Sequence, residues 1–189
     1  MNKKKLAVIL PGTGYTPFMP LLFYAANSAE ERGYEICWVD YCPIFAEAKS
    51  RGADGMNAAM EKAFQYAEEK LDAIRYDEYE TVVFIGKSLG TIVGAKYAAQ
   101  HNCTPDQVWF TPVPEAYEYV KGNVVAFMGD RDPVMNAEEA RKKAAEKNIP
   151  LHVYPNADHS LATGNVQTDL DILKDVMTVT GEFLILFRI

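Results

Sequence analysis

The sequence predicts an α/β fold: a three-layer, doubly wound, mostly parallel sheet of about six strands with helices on both faces. Three observations predict it. Short apolar runs rich in β-formers recur at residues 6–10, 36–39, 82–85, 108–110, 124–128 and 151–154. They are nearly continuous rather than alternating, the pattern of parallel strands buried on both faces. Helical stretches separate them, as crossover connections between parallel strands require. No repeat, low-complexity tract or Pro/Gly-rich linker divides the chain. With 189 residues, 49% of them hydrophobic, it is long enough for one well-cored domain. We expect a single domain over 1–189.

The first run, residues 6–10, follows three lysines and stops at Pro11-Gly12. It is too short for the apolar region of a signal peptide. A helix is expected over 19–32, ended by Gly33, before the strand at 36–39. A second helix is expected over 56–75. The strand at 82–85 leads into a helix over 89–101, whose Gly90, Gly94, Ala95 and Ala98 can pack close to the sheet. Strands at 108–110 and 124–128 follow, with too few residues between them for a helical lid. Asn136 and Glu139 form an N-cap pattern for a helix over 136–147. After the strand at 151–154, a helix over 166–185 closes the fold. The apolar tail 183–189 should finish that helix against the sheet, and any exposed part of it would suit a homo-oligomer contact.

The formal net charge of −7 is spread along the chain, which argues against nucleic acid or an anionic membrane as partner. Nothing approaches the roughly 20 apolar residues of a membrane span. Cys37, Cys42 and Cys103 are odd in number and form no C-x-x-C pair. Free thiols in a reducing, cytoplasmic compartment are the expectation. No grouping of His, Cys and Asp has metal-ligand spacing, so neither metal nor cofactor is expected.

In a doubly wound sheet, ligands bind beyond the carboxyl ends of the strands. One such segment, Gly86-Lys87-Ser88-Leu89-Gly90, carries two motif fragments at once. A phosphate loop would need a glycine five residues before Gly86, to curl the backbone around a phosphate. That position is Thr81, and "TVVFI" over 81–85 is strand. The alternative is a G-x-S-x-G turn between strand and helix, which presents a strained serine as a nucleophile. The sequence around Ser88 has that context, with Gly86 and Gly90 permitting the sharp turn. Ser88 is the candidate nucleophile.

A serine hydroxyl attacks well only when a base takes its proton and a third group orients the base. His101 falls at a helix end, where a capping role is expected, and His152 lies within a strand. His159, in "YPNADHSL" after the last strand, is the histidine placed to reach Ser88. Asp130 and Asp132 follow the strand at 124–128. Asp132 is the candidate acid, because a tight turn from Gly129 would carry it over the strand end. Asp130 would then cap a turn, and Asp158 is the weaker competitor.

An oxyanion hole needs a second backbone donor from a turn after an early strand. "LPGTGYTP" supplies one, and it lacks the third glycine of a dinucleotide fingerprint. We assign the hole to the N–H groups of Thr13 and Leu89. Gly14, Tyr15, Tyr41, Phe45, Val113, Tyr117 and Met135 fall in the same loops and are candidates to line a shallow substrate pocket. About half of these are expected to be packing residues. Lys87, beside the nucleophile, could affect His159, hold a carboxylate or make a local salt bridge.

Together the elbow, acid turn, histidine loop and glycine turn resemble the α/β-hydrolase superfamily in a small, lidless form, over essentially the whole chain. The resemblance implies a core of six parallel strands and acyl transfer through an acyl-serine, with a small acyl compound as substrate. Ser88 would be nucleophile, Asp132 the acid and His159 the base. The Pro-Gly-Thr-Gly turn departs from the family's His-Gly-Gly type. A carboxylesterase is the leading expectation. Thioesterase, amidase or acyltransferase chemistry would use the same residues, and a non-catalytic binding module could keep the same fold.

Overall fold

The computed structural model describes residues 4–48 and 52–186. Its strands are β1 (Lys4–Leu10), β2 (Tyr34–Trp38), β3 (Tyr79–Lys87), β4 (Asp106–Phe110), β5 (Val124–Gly129) and β6 (Leu151–Tyr154). They form one sheet in the order β2-β1-β3-β4-β5-β6. Every neighbouring pair is parallel. The six apolar runs each fall within one strand, except that Val39 lies just past the end of β2.

Side chains alternate between the two faces of each strand. One face presents Ala7, Ile9, Val83, Ile85, Val108, Phe110, Val125 and Phe127, covered by α1 (Pro20–Glu30) and α6 (Val166–Leu186). The opposite face presents Leu6, Val8, Leu10 and Phe84 to α2 (Cys42–Ala48), α3 (Gly52–Asp72) and α4 (Leu89–Gln100). Farther along that face, Trp109, Ala126 and Met128 pack with α5 (Ala137–Glu146). These are the three layers expected from continuous apolar runs.

The helix ends follow local chemistry. The Asn136 side chain caps α5 by accepting from the N–H groups of Glu138 (2.8 Å) and Glu139 (3.4 Å). Gly33, at φ 80°, turns the chain after α1. No helix is expected from the sequence between the strand at 36–39 and the helix at 56–75, but α2 lies there and α3 begins at Gly52. Seven residues are too few to show helical periodicity, and Pro43 sits at the second position of α2, where its missing N–H has no cost. Phe183 and Leu184 of the apolar tail are buried, whereas Ile185 and Leu186 are exposed. Residues 187–189 lie outside the described residues.

The sheet order places the site. From β1 the chain goes to β2 on one side, then returns to β3 on the other. The strand order therefore reverses between β1 and β3, and a crevice opens beyond the carboxyl ends of such a pair. The glycine turn after β1 and the serine turn after β3 are the two walls of that crevice.

Candidate active site

Ser88 joins β3 directly to α4 at φ 52° and ψ −115°, a conformation that strains any residue with a side chain. The surrounding backbone holds it there. Its N–H donates to Phe110 O at 3.0 Å, and its carbonyl accepts from the N–H (2.9 Å) and hydroxyl (2.7 Å) of Thr91. The flanking glycines are sterically required. A Cβ on Gly90 would overlap the Leu10 carbonyl, and one on Gly86 would lie 2.7 Å from the Gly90 carbonyl. The elbow thus presses against the end of β1.

His159 Nε2 lies 2.8 Å from Ser88 Oγ, and His159 Nδ1 lies 2.7 Å from Asp132 Oδ2. With Nδ1 donating to the carboxylate, Nε2 is left as an acceptor for the serine proton. The Asp132 side chain is only 1% exposed. Its second oxygen accepts from the Val134 N–H at 2.8 Å. Both carboxylate oxygens are therefore engaged and the carboxylate is fixed in place.

The competing side chains have other work. Asp130 accepts from the Asn156 N–H, joining the β5 and β6 turns. Asp158 accepts from the N–H groups of Ser160 (2.6 Å) and Ala162 (3.1 Å), shaping the loop that carries His159. Gly129 lets these two turns meet, because a Cβ there would overlap the Ala157 carbonyl. His101 caps α4, stacks on Tyr97 and pairs with Glu68. His152 stacks on Phe127 within the sheet region.

On the other wall, Gly12 packs against the elbow, its missing Cβ leaving room 3.3 Å from Ser88 Cβ. The Gly12 N–H is occupied by Tyr15 O at 3.1 Å. The N–H groups of Thr13 and Leu89 have no acceptor among the described residues. Leu89 also opens α4, where the helix dipole favours negative charge.

The pocket residues expected from the sequence divide sharply. Gly14 is exposed, and Tyr15 borders a cavity beside the loop that carries His159. Val113 is half-buried against the α5 cluster. Tyr41, Phe45, Tyr117 and Met135 are buried in the core and offer no surface to a substrate. Loop position alone does not say which way an aromatic or thioether side chain faces, and the sheet's top edge needed apolar cover. Tyr41 has a role that the sequence did not show: its hydroxyl donates to Pro11 O at 2.6 Å. With the Cys42 thiol, 3.5 Å from Gly12 O, it ties the glycine turn to the β2–α2 connection.

Lys87 is only 1% exposed. Its ammonium makes no ion pair among the described residues and stands 5.0 Å from the centre of the Tyr15 ring. Burial pulls its pKa down to about 8, although the charges of Asp132 and Asp158 act the other way. Among the described residues no three His, Cys, Asp or Glu side chains are grouped to hold a metal ion. No described helix is long and apolar enough to cross a membrane.

Solved structures share this chain path. Est1E from Butyrivibrio proteoclasticus, with ferulic acid bound, matches at TM-score 0.69 and 14% identity, over 96% of this chain and 88% of its own. Dienelactone hydrolase from Anabaena variabilis matches at 0.68 and 16%, over 96% and 86%. An alpha-beta serine hydrolase homologue from Coxiella burnetii matches at 0.56 and 13%, over 93% and 84%. No protein-family model matches the sequence, and no curated protein matches it either. The chain has the α/β-hydrolase fold. At these identities the likeness establishes the fold alone.

Proposed function

We propose that this protein is a serine-dependent acyl hydrolase, a carboxylesterase acting on small soluble esters. The observation that carries the reading is the unbroken hydrogen-bond chain from Ser88 Oγ through both ring nitrogens of His159 to Asp132. A histidine in a merely structural role has no need to link a strained serine to a buried carboxylate.

In this mechanism Ser88 Oγ attacks the ester carbonyl as His159 Nε2 takes its proton. Asp132 stabilises the imidazolium without itself being protonated. The carbonyl oxygen becomes an oxyanion facing the N–H groups of Thr13 and Leu89, each worth roughly 3–4 kcal/mol in the transition state. As the carbonyl reforms, the bond to the alkoxy group breaks and His159 protonates the departing alcohol. Water then attacks the acyl-serine with His159 again as base, releasing the acid and restoring Ser88. Only neutral His159 can begin the cycle, because the imidazole must accept the serine proton.

Intact-mass analysis after treatment with a fluorophosphonate tests the reading without knowledge of the substrate. One label per chain on the wild type, lost in Ser88→Ala, supports it. An unlabelled wild-type protein that is folded and stable overturns it. Ester and thioester panels then separate the two leaving groups.

A further inference from the structure

A cavity lies beside the triad rather than on it. It has a volume of about 290 Å³ and sits between the N-terminal ends of α1 and α6. Neither Ser88 nor His159 lines it, but its wall is continuous with both sides of the site. Tyr15 belongs to the glycine turn, and Ser160 and Leu161 follow directly on His159. An ester held at Ser88 would therefore need only a short arm to enter it.

Its lining is almost entirely apolar. Tyr15, Leu21, Leu161 and Ile172 are buried lining residues, while Met19, Val166 and Leu170 are exposed ones. The polar groups within reach are engaged or at the edge. Tyr15 Oη accepts from the Leu21 N–H at 3.0 Å. The Asp169 carboxylate accepts from both the N–H and the hydroxyl of Thr163 at 2.6 Å. Ser160 is exposed. No charged group stands free in the wall to receive an ionic ligand.

The wall is also held in shape. Leu161 has φ 57°, a left-handed conformation unfavourable for leucine, yet its side chain is 4% exposed. Hydrogen bonds fix this turn, from Leu161 N–H to Asp158 O at 3.1 Å and from Asp158 N–H to Ala162 O at 2.9 Å. Opposite, the Lys87 ammonium rests over the Tyr15 ring. The strain is thus retained two residues after His159, and the wall keeps one shape.

We propose that this cavity is the subsite for the uncharged apolar arm of the ester, and that the substrates are esters carrying a medium-length chain or single aromatic ring. The proposal rests on the serine hydrolase reading and adds the substrate class to it. A cavity of roughly 150 Å³ accepts a benzene ring. This one is about twice that size, enough for on the order of six to ten carbons.

Two ester series test the proposal and distinguish which arm enters. In one, p-nitrophenyl esters vary the acyl chain from acetate to decanoate. In the other, alkyl acetates vary the alcohol. Each methylene that enters should raise kcat/KM roughly 4-fold, so in one series the octanoyl or octyl ester should exceed its two-carbon analogue by at least about 30-fold. Leu170→Trp and Ala162→Phe each put a larger side chain on a lining residue, and each should bring that ratio close to one. Leu170 is exposed, so its variant should fold even if the other does not. A flat profile in both series, or a ratio unmoved by Leu170→Trp, overturns the subsite and leaves the hydrolase reading standing. No turnover of any ester together with no label on Ser88 overturns the hydrolase reading, and the subsite with it.

Discussion

The Tyr41 hydroxyl donates to the Pro11 carbonyl at 2.6 Å, across thirty residues of sequence, and both groups lie beneath the glycine turn. Tyr41 is fully buried and Pro11 is the first residue after β1. The bond therefore sets the height of the turn that carries the Thr13 N–H. An oxyanion donor works only when aimed at the position the charge will occupy.

Tyr41→Phe keeps the ring and removes the bond. A buried carbonyl left unsatisfied costs about 1–3 kcal/mol, so denaturant unfolding should show a loss of that size. If the turn then shifts by a fraction of an ångström, kcat should fall by roughly 10- to 100-fold with little change in KM. A stability loss with unaltered kcat would show that Tyr41 supports the core and does not position the donor.

Asp132→Asn separates orientation from charge. The Asn oxygen can still accept from the Val134 N–H, so the turn should be preserved. Its amide, facing His159 Nδ1, would donate to it and force the ring proton onto Nε2. That nitrogen can then no longer accept from Ser88 Oγ. Esterase kcat is expected to drop on the order of 10³- to 10⁴-fold with unchanged thermal stability. A drop below about 10-fold would assign the orienting role elsewhere.

Gly90→Ala tests the elbow as a steric construction. The added Cβ would overlap the Leu10 carbonyl, which is backbone of a central strand and cannot swing aside. A loss of at least about 3 kcal/mol is expected, with the soluble yield falling accordingly. Gly14→Ala is the control, because no atom lies within 4 Å of its Cβ position, and it should stay within about 0.5 kcal/mol of wild type. Equal effects of the two variants would contradict the close approach of α4 to β1.

What could be read from the sequence follows the range of the forces involved. Ser88, Asp132 and His159 each carry a local signal: a glycine-flanked turn, an acid just past a strand end, a histidine in a loop. The parallel order of the strands then brings them together. Tyr41 and Met135 carried only a residue type and a loop position, and burial turned both inward. Of the cavity's lining, only Tyr15 carried a signal in the sequence. The other lining residues come from the start of α1, the His159 loop and α6, and become neighbours only because both helices cover the same sheet face. Lys87 marks the same limit, since the strand's alternation sends it to the α1 and α6 face but nothing nearby in sequence announces the Tyr15 ring.

Lys87 gives a prediction in which pH decides the outcome. Its side chain is buried without an ion pair among the described residues, and burial holds its folded pKa at about 8, below the value of 10.5 for a free lysine. Below about pH 8 the ammonium is charged in both states, and the whole cost of burying it falls on the folded one. Between about pH 8 and 10.5 the unfolded chain holds more protons than the folded chain, so this group makes stability rise with pH. Lys87→Met has a similar length and no charge. It should be more stable than wild type at pH 7 by roughly 1–3 kcal/mol, with the difference shrinking steadily as pH rises from 8 towards 10.5. Urea unfolding of both proteins across that range measures the difference directly and cancels the titration of groups common to both. A Met variant that is less stable than wild type by the same amount at every pH would show that the ammonium's contact with Tyr15 outweighs its desolvation.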